Sequence, residues 1–413
     1  MKLFPKGSVL FTKSGMSILL NQRAILARDM YVVSHIGISI TLSGVPSELV
    51  YYWLKSIDFK NLTHATTLPS LQLTKVKQIP IPLPPLPEQQ RIVAKIEELF
   101  TKLDVGVEAL KKVKAQLKRY RQAVLKYAFE GKLTEKWREK HKNELEPASL
   151  LLEQIREERK KNTKGSNVGA TGRSPLPVDT SDFPELPEGW VWTRVGEISQ
   201  VMGGKRLPKG HMYSETPTNF PYIRVTDFEN ITVNMKGLLF LRPETQKLIS
   251  KYTVSKEDLY ISIAGSIGKV GIIPEQLDCV NLTENAAKIT EISGLEKKFL
   301  CYVLNSNFGQ NQINRLIVSS NQPKLALFRI EQIIIPLPSL PEQHKIVEEI
   351  ERRFSVADKV ENLIEQSLNQ AERLRQSILK RAFEGKLVPQ DPTDEPAEKL
   401  LERIKLGKKR GRD

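Results

Sequence analysis

LPPLPEQQRIVAKIEELF, residues 83–100, returns at residues 337–354 as LPSLPEQHKIVEEIERRF. Residues 82–133 align without a gap to 336–387 at a constant offset of 254, with roughly half the positions identical, and both blocks end in AFEGKL. Two copies of one structural unit are therefore present.

Each block reads as one long helix with marked ends. Pro87 and Pro341 fit the first helical position, where φ is already helical and no needed N–H is lost, and the glutamate that follows suits the positive end of the helix dipole. In the second copy Ser339 and Glu342 have the spacing of a capping box. Gly131 and Gly385 can adopt the left-handed conformation that stops a helix.

Between these signals the first copy sets Ile92, Ile96, Leu99, Leu103, Gly106, Leu110, Val113, Leu117, Tyr120 and Val124 at alternating steps of four and three. The second sets Ile346, Ile350, Arg353, Ala357, Val360, Ile364, Ser367, Ala371, Leu374 and Ile378 the same way. A heptad seam of this length predicts a coiled coil, and the economical partner for each copy is the other. The competing arrangement is an independent homodimeric coil for each helix. About 43 residues at 1.5 Å each give a rod of roughly 60–65 Å. The proline run before each helix reads as a stiff connector rather than as a ligand for a proline-binding module.

The repeat continues upstream. Residues 67–84 match 321–338 at the same offset; with the offset relaxed to 250, KGSVLFTKSG (6–15) matches KEDLYISIAG (256–265) and SELVYYWLKS (47–56) matches KKFLCYVLNS (297–306). Each long helix thus follows a domain of short β-prone runs, glycine turns and one helix. The second domain opens near LPEGWVWTRVGEISQ at Leu186, 70 residues ahead of its match to Lys6, so the first is expected to lack its opening third to half.

PASLLLEQIR at Pro147 is echoed by PAEKLLERIK at Pro396, which adds a shorter helix to the repeat. NTKGSNVGATGRSPLPVDTSD reads as a linker and KLGKKRGRD as a disordered basic tail. The expected division is a first domain at 1–86, a long helix at 87–131, a short helix and linker at 132–182, a second domain at 183–340, a long helix at 341–385 and a C-terminal helix with tail at 386–413. The fold class is α+β, with two mixed α/β domains separated by an antiparallel pair of long helices related by a pseudo-two-fold.

The totals agree with several domains: 413 residues suggest about two to four. Sixty-three Lys and Arg against 48 Asp and Glu leave a charge of +15, which favours an anionic partner, nucleic acid first. Cys279 and Cys301 are too few for a disulfide framework and lack metal-ligand spacing, so they read as core residues in a reducing compartment. The N-terminus has no signal-peptide core and no run of 18 apolar residues occurs, which points to the cytoplasm.

A search for catalysis returns nothing. AGSIGKVG (264–271) departs from a phosphate-binding loop, having Ile263 and Val270 where glycine and a hydroxyl are needed, and reads as strand–turn–strand. No N/D-P-P-Y/F tetrapeptide for adenine methylation is present, and the five His and two Cys form neither a zinc cluster nor a nucleophile arrangement. The binding candidates are clearer. GGKRLPKG places Gly203, Gly204, Lys205, Arg206 and Lys209 in a loop whose glycines would let backbone amides reach phosphates and whose cations would reach phosphates or guanine. PYIRVTDF offers Arg224, Thr226 and Asp227; the 264–271 turn offers Ser266 and Lys269; Asn285, Asn321 and Gln322 carry amides suited to adenine. In the first domain Lys13 and Ser14 remain as candidates.

These residues resemble the specificity (S) subunits of type I restriction-modification systems. The resemblance rests on PLPPLPEQQRIVAKI and PLPSLPEQHKIVEEI, each with AFEGKL, and on LPEGWVWTRVGEI, GGKR, PYIRVTD and SIAGSIGKVGI, and it covers nearly the whole chain. It implies that each domain reads half of a split double-stranded DNA target. The helices then set a spacing compatible with major-groove sites one to two DNA turns apart, at about 34–36 Å per turn. It also implies docking of two methyltransferase (M) subunits and of restriction (R) subunits, with S-adenosylmethionine, ATP and magnesium belonging to those partners and no catalytic residue, cofactor or metal in this chain. The short first domain leaves open a subunit that reads one half-site only, or one completed by another chain. Two readings from other classes compete: a coiled-coil scaffold, and a self-sufficient modification enzyme, which the absent motifs disfavour.

Overall fold

Two 44-residue helices, Leu86–Phe129 and Leu340–Phe383, dominate the computed structural model. The structure describes residues 2–42, 44–63, 69–163, 183–317 and 323–410, so the linker reading at 164–182 lies outside the described residues. The helix ends fall where the sequence marks them. Gly131 and Gly385 take φ of +69° and +70°, and the Lys132 and Lys386 amides close back onto the Tyr127 and Arg381 carbonyls at 2.9 and 2.8 Å.

The chain divides into two compact units that cut both helices: residues 1–115 with 361–413, and residues 116–360. In the first unit Asp104 pairs with Arg375, and ten residues further along the first helix Lys114 pairs with Glu365, ten residues back along the second. In the second unit Arg121 meets Asp358 at 2.6 Å. The helix segments in each unit therefore run antiparallel. Asp358 and Arg375 are the repeat equivalents of Asp104 and Arg121, so one ion pair is made twice.

Burial corrects the phase of the seam. Ile92, Ile96, Ile346, Ile350, Ala357, Ile364 and Ile378 are buried, and Leu99, Leu103, Leu110, Leu117 and Val360 are half-buried, as in a two-helix contact open to water on both sides. Leu374, however, is 47% exposed, and Gly106, Val113, Tyr120 and Ser367 face solvent. The alternate positions withdrawn from water lie one residue further on, at Phe100, Val107, Arg121 and, in the second copy, Phe354, Glu361, Leu368 and Arg375. The cause lies beside the seam. Phe100 meets Tyr52 edge-on at 5.7 Å, Phe354 meets Tyr302 at 5.8 Å, and both arginines reach carboxylates, so the buried stripe turns toward those partners. Arg375 also lies 5.0 Å from the Phe100 ring centre. Asp104→Asn is therefore expected to cost under about 1 kcal/mol, and Arg375→Ala about 0.5–1 kcal/mol more. Urea unfolding measures both, and equal costs would remove the Phe100 contribution.

The domains share a frame. In the first, Val9–Thr12 pairs antiparallel with Arg23–Ile25 and Ile36–Ser39. In the second, Leu259–Ser262 pairs the same way with Val270–Ile272 and Ala286–Thr290, and Gln200–Gly203 adds a fourth strand outside Ala286–Thr290. The turn at 264–271 thus joins two paired strands. A second four-stranded sheet contains Pro221–Ile223 parallel to Val280–Leu282. The helices Ser47–Ser56 and Lys297–Asn305 occupy equivalent places.

The shorter helices Ala148–Thr163 and Ala397–Arg410 repeat as well. A side chain added at Gly294 would strike Leu151 and Ile155, and one at Gly44 would strike Leu400, so each helix covers the same glycine turn of its unit. The C-terminal helix continues to Arg410, correcting the reading of residues 405–410 as disordered; the amphipathic stripe that seats Leu400 carries the helix on.

The capping box at Ser339 and Glu342 does not form. Ser339 Oγ is buried without a partner. Glu342 instead accepts from Thr134 Oγ1 at 2.7 Å, Arg138 Nη1 at 2.7 Å and Trp190 Nε1 at 2.8 Å. A buried carboxylate is stabilised more by an indole and a guanidinium than by one backbone amide. The connector is also less uniform than expected, since Ile334–Leu337 is a strand paired with Val191–Arg194.

Candidate nucleic-acid interface

Gly203 ends its strand opposite Ala287, and the chain then crosses the start of the Ala286–Thr290 strand. Here the Gly204 amide donates to the Ala286 carbonyl at 3.0 Å and the Lys205 amide to the Leu282 carbonyl at 2.9 Å. A Cβ on Gly204 would sit 2.1 Å from the Thr283 carbonyl oxygen. Glycine is thus required for the close approach of two backbones, and these amides are already committed. The expectation that they face phosphate is corrected, because the sheet uses them.

The side chains beyond that crossing do face solvent. Lys205, Arg206 and Lys209 are exposed. Lys205 lies 5.4 Å from the Tyr252 ring centre, and its carbonyl accepts from the Tyr222 hydroxyl at 2.8 Å. Burial pushes the Tyr222 phenol up to about 12, so it stays a neutral donor that fixes the loop. Arg206 is 75% exposed and pairs with Glu284 at 3.1 Å, a surface contact weak enough for an incoming anion to displace.

Residues 203–206 line a cleft of about 690 Å³ with Ile263, Glu284 and residues 324–327. Lys324 is exposed at its rim, bridged through the backbone to Ala264. Lys324, two residues beyond Gln322, carries no sequence pattern that marks it as part of the cleft. The same holds for Glu284. The equivalent bridge in the first domain joins Ser14 to Ser70, so serine stands there in place of Lys324.

Arg224 and Asp227 bond to each other. Arg224 donates from Nε at 3.1 Å, Nη2 at 2.8 Å and its backbone amide at 2.8 Å to the Asp227 carboxylate, which is 6% exposed. They cap a single 3-10 turn, Val225–Asp227, and Asp227 is withdrawn as a base contact because its oxygens are consumed inside the fold. Thr226, on that turn, is exposed.

On the 264–271 turn Ser266 is exposed and its carbonyl accepts from Ser262 Oγ at 2.5 Å. Lys269 is exposed with Nζ 3.3 Å from the Phe228 carbonyl. Asn285 is exposed while its carbonyl accepts from Ile263 and Ala264. Asn321 and Gln322 lie outside the described residues. In the first domain Lys13 is half-buried with its carbonyl bonded to the Leu71 amide, and Ser14 Oγ lies 2.9 Å from His35 Nδ1.

Among the described residues no group of three or more His, Cys, Asp or Glu side chains is placed to hold a metal, and no helix is long and apolar enough to cross a membrane. Cys301 is fully buried, and burial pushes its thiol well above the ordinary range, whereas Cys279 is exposed.

The sequence model of the type I restriction modification DNA specificity domain matches residues 1–119 and 187–372. The chain belongs to this family. Within it the EcoBI specificity subunit of Escherichia coli is 28% identical over 354 residues, covering 83% of this chain and 67% of its own. The EcoDI specificity subunit of the same organism is 26% identical, covering 86% and 75%. The MjaVIII specificity subunit of Methanocaldococcus jannaschii is 22% identical, covering 81% and 68%. A chain from a solved structure concerned with complex assembly and conformational transition of the type I R-M system has the same fold. Its TM-score is 0.68 at 19% identity, over 93% of this chain and 83% of that one. Membership in the specificity family agrees with two domains each followed by a long helix.

Proposed function

We propose that the chain is the DNA-reading subunit of a cytoplasmic type I restriction-modification complex, noncatalytic itself, with its second domain reading one part of a split target. The observation that carries the reading is the cleft at residues 203–206, where Lys205, Arg206 and Lys324 surround a floor built from committed backbone. Such cations supply phosphate attraction and can reach guanine, while the rigid sheet beneath fixes their register. M and R subunits of the family supply adenine-N6 methylation with S-adenosylmethionine and ATP-dependent cleavage; this chain supplies the address.

Replacing Lys205, Arg206 and Lys324 together by alanine is expected to lower the slope of log affinity against log salt by about 3, at roughly 0.9 per phosphate contact. Gel-shift titration over salt measures it. Retention that is weak, independent of sequence and unchanged in the variant would sink the reading and return the chain to a scaffold. A second reading has the second domain alone as reader, since serine replaces Lys324 in the first and the sheet there has three strands. Methylome sequencing of cells carrying this chain with its M partner decides it, because an intact bipartite motif from this chain alone overturns that version.

A further inference from the structure

The two units use the same Pro-Glu-Gln helix start with different completeness. In the second unit Glu342 receives three donors, and Gln343 spans from the Pro338 carbonyl at 3.0 Å to the Glu296 amide at 2.8 Å. In the first, Gln89 repeats the bond to the Pro84 carbonyl at 2.8 Å, but its Oε1 is buried without a partner. Pro46, which has no N–H, stands where the repeat places Glu296.

Glu88 is the sharper case. It is the equivalent of Glu342, it is 4% exposed, and among the described residues no hydrogen bond reaches its carboxylate. Val388 stands where the repeat places Thr134, and the segment from 388 to 396 that replaces 134–147 contains no arginine or lysine, so two of the three donors are absent by residue type. The third, Trp190, arrives in the second unit on a segment with three anchors. Pro187 packs against Gly131, Trp190 bonds Glu342, and Val191–Arg194 pairs with Ile334–Leu337.

Among the described residues all three anchor points are open in the first unit. Among the described residues Gly385, the equivalent of Gly131, has only Gln390 Nε2 within reach of a Cβ, at 3.6 Å. Residues 80–83, equivalent to Ile334–Leu337, form no strand, and Ile81 is 36% exposed where Ile335 is fully buried. Glu88 lines a cavity of about 380 Å³ together with Leu83, Ile92 and Gly385. Among the described residues the Ile36–Ser39 strand likewise has no outer neighbour, whereas its equivalent carries Gln200–Gly203.

We propose that this cavity is a socket for an extended, tryptophan-bearing strand supplied from outside residues 1–413, of the pattern Leu-Pro-Glu-Gly-Trp-Val-Trp. The strand pairs with residues 80–83 and its indole N–H donates to Glu88. The choice of occupant follows from the complement required: a donor for an unpartnered carboxylate on the cavity wall, a proline over Gly385 and a backbone edge. This chain has four tryptophans, and Trp53, Trp137, Trp190 and Trp192 are all placed elsewhere.

The test uses the full chain and a labelled synthetic peptide with the sequence of residues 186–198, followed by fluorescence polarisation without DNA. Saturable one-to-one binding is expected. It should weaken at least about tenfold when the peptide's first tryptophan becomes phenylalanine, and similarly for Glu88→Ala in the chain, the scale of a hydrogen bond to a charged group. No saturable binding, or binding indifferent to both changes, overturns the socket while leaving the DNA-reading proposal standing. Melting of the free chain is an independent check. Glu88→Leu is expected to raise the melting temperature, since it removes a carboxylate that has no donor and little contact with water, and a fall would show that Glu88 is already satisfied.

Discussion

Glu342→Ala is expected to cost about 3–5 kcal/mol of stability in the second unit, the scale for breaking a buried ion pair by removing one partner. The carboxylate side chain is 2% exposed and Arg138 beside it 18%. Removing the carboxylate strands that guanidinium, the Trp190 indole N–H and the Thr134 hydroxyl together. Arg138 keeps one bond, from Nη1 to the Gly131 carbonyl at 3.1 Å, which neutralises no charge. Urea unfolding followed by tryptophan fluorescence reads the loss, and a cycle with Arg138→Ala separates the charge pair from the indole bond. A cost below about 1 kcal/mol would mean that water enters the site and the hub is not what fastens residues 187–194 to the helix start.

Gly204→Ala is expected to reduce specific DNA retention by at least as much as Lys205→Ala and Arg206→Ala combined. A Cβ would meet the Thr283 and Leu282 carbonyl oxygens at 2.1 and 2.4 Å, and these are backbone atoms of a sheet, not the flexible ends of side chains. Relief requires the strand ending at Gly203 to move, at about 1–3 kcal/mol for overpacking of this kind. Moving it displaces both cations from their register. Hydrogen exchange at Gly204 and Lys205 should accelerate in the variant, since their amides bond across the crossing. Unchanged retention would separate the loop from DNA binding altogether.

The repeat made the helices legible, because caps and heptads are local signals and two copies confirm each other. It did not reveal the phase of the seam, since Leu99 and Phe100 are equally apolar and only the position of Tyr52 decides between them. Arg224 and Asp227 resembled reading residues for the same reason that they bond: complementary charges three apart on a turn satisfy one another first. Gly204 was read as a phosphate-facing glycine because sequence shows the missing side chain but not what occupies its place. Glu342 was assigned to a local cap because its real partners, Thr134 and Trp190, lie 208 and 152 residues away. Lys324 had no pattern to announce it and depended on a backbone bridge to Ala264.

The core that joins Leu49, Ile92, Ile96 and Phe100 to Ile378, Leu379 and Ala382 also sets a timetable for synthesis. The ribosome makes the near side of this core well before its cover. At about 5–20 residues per second the apolar face at Ile96 waits roughly 15–60 s for Ile378. During that interval the early segment is a nascent chain with an uncovered stripe, exposed to chaperones and to its neighbours on the same message. The second unit begins later, yet it is complete once Val360 has been made, before Ile378 emerges, so the unit that is begun first is the one that closes last.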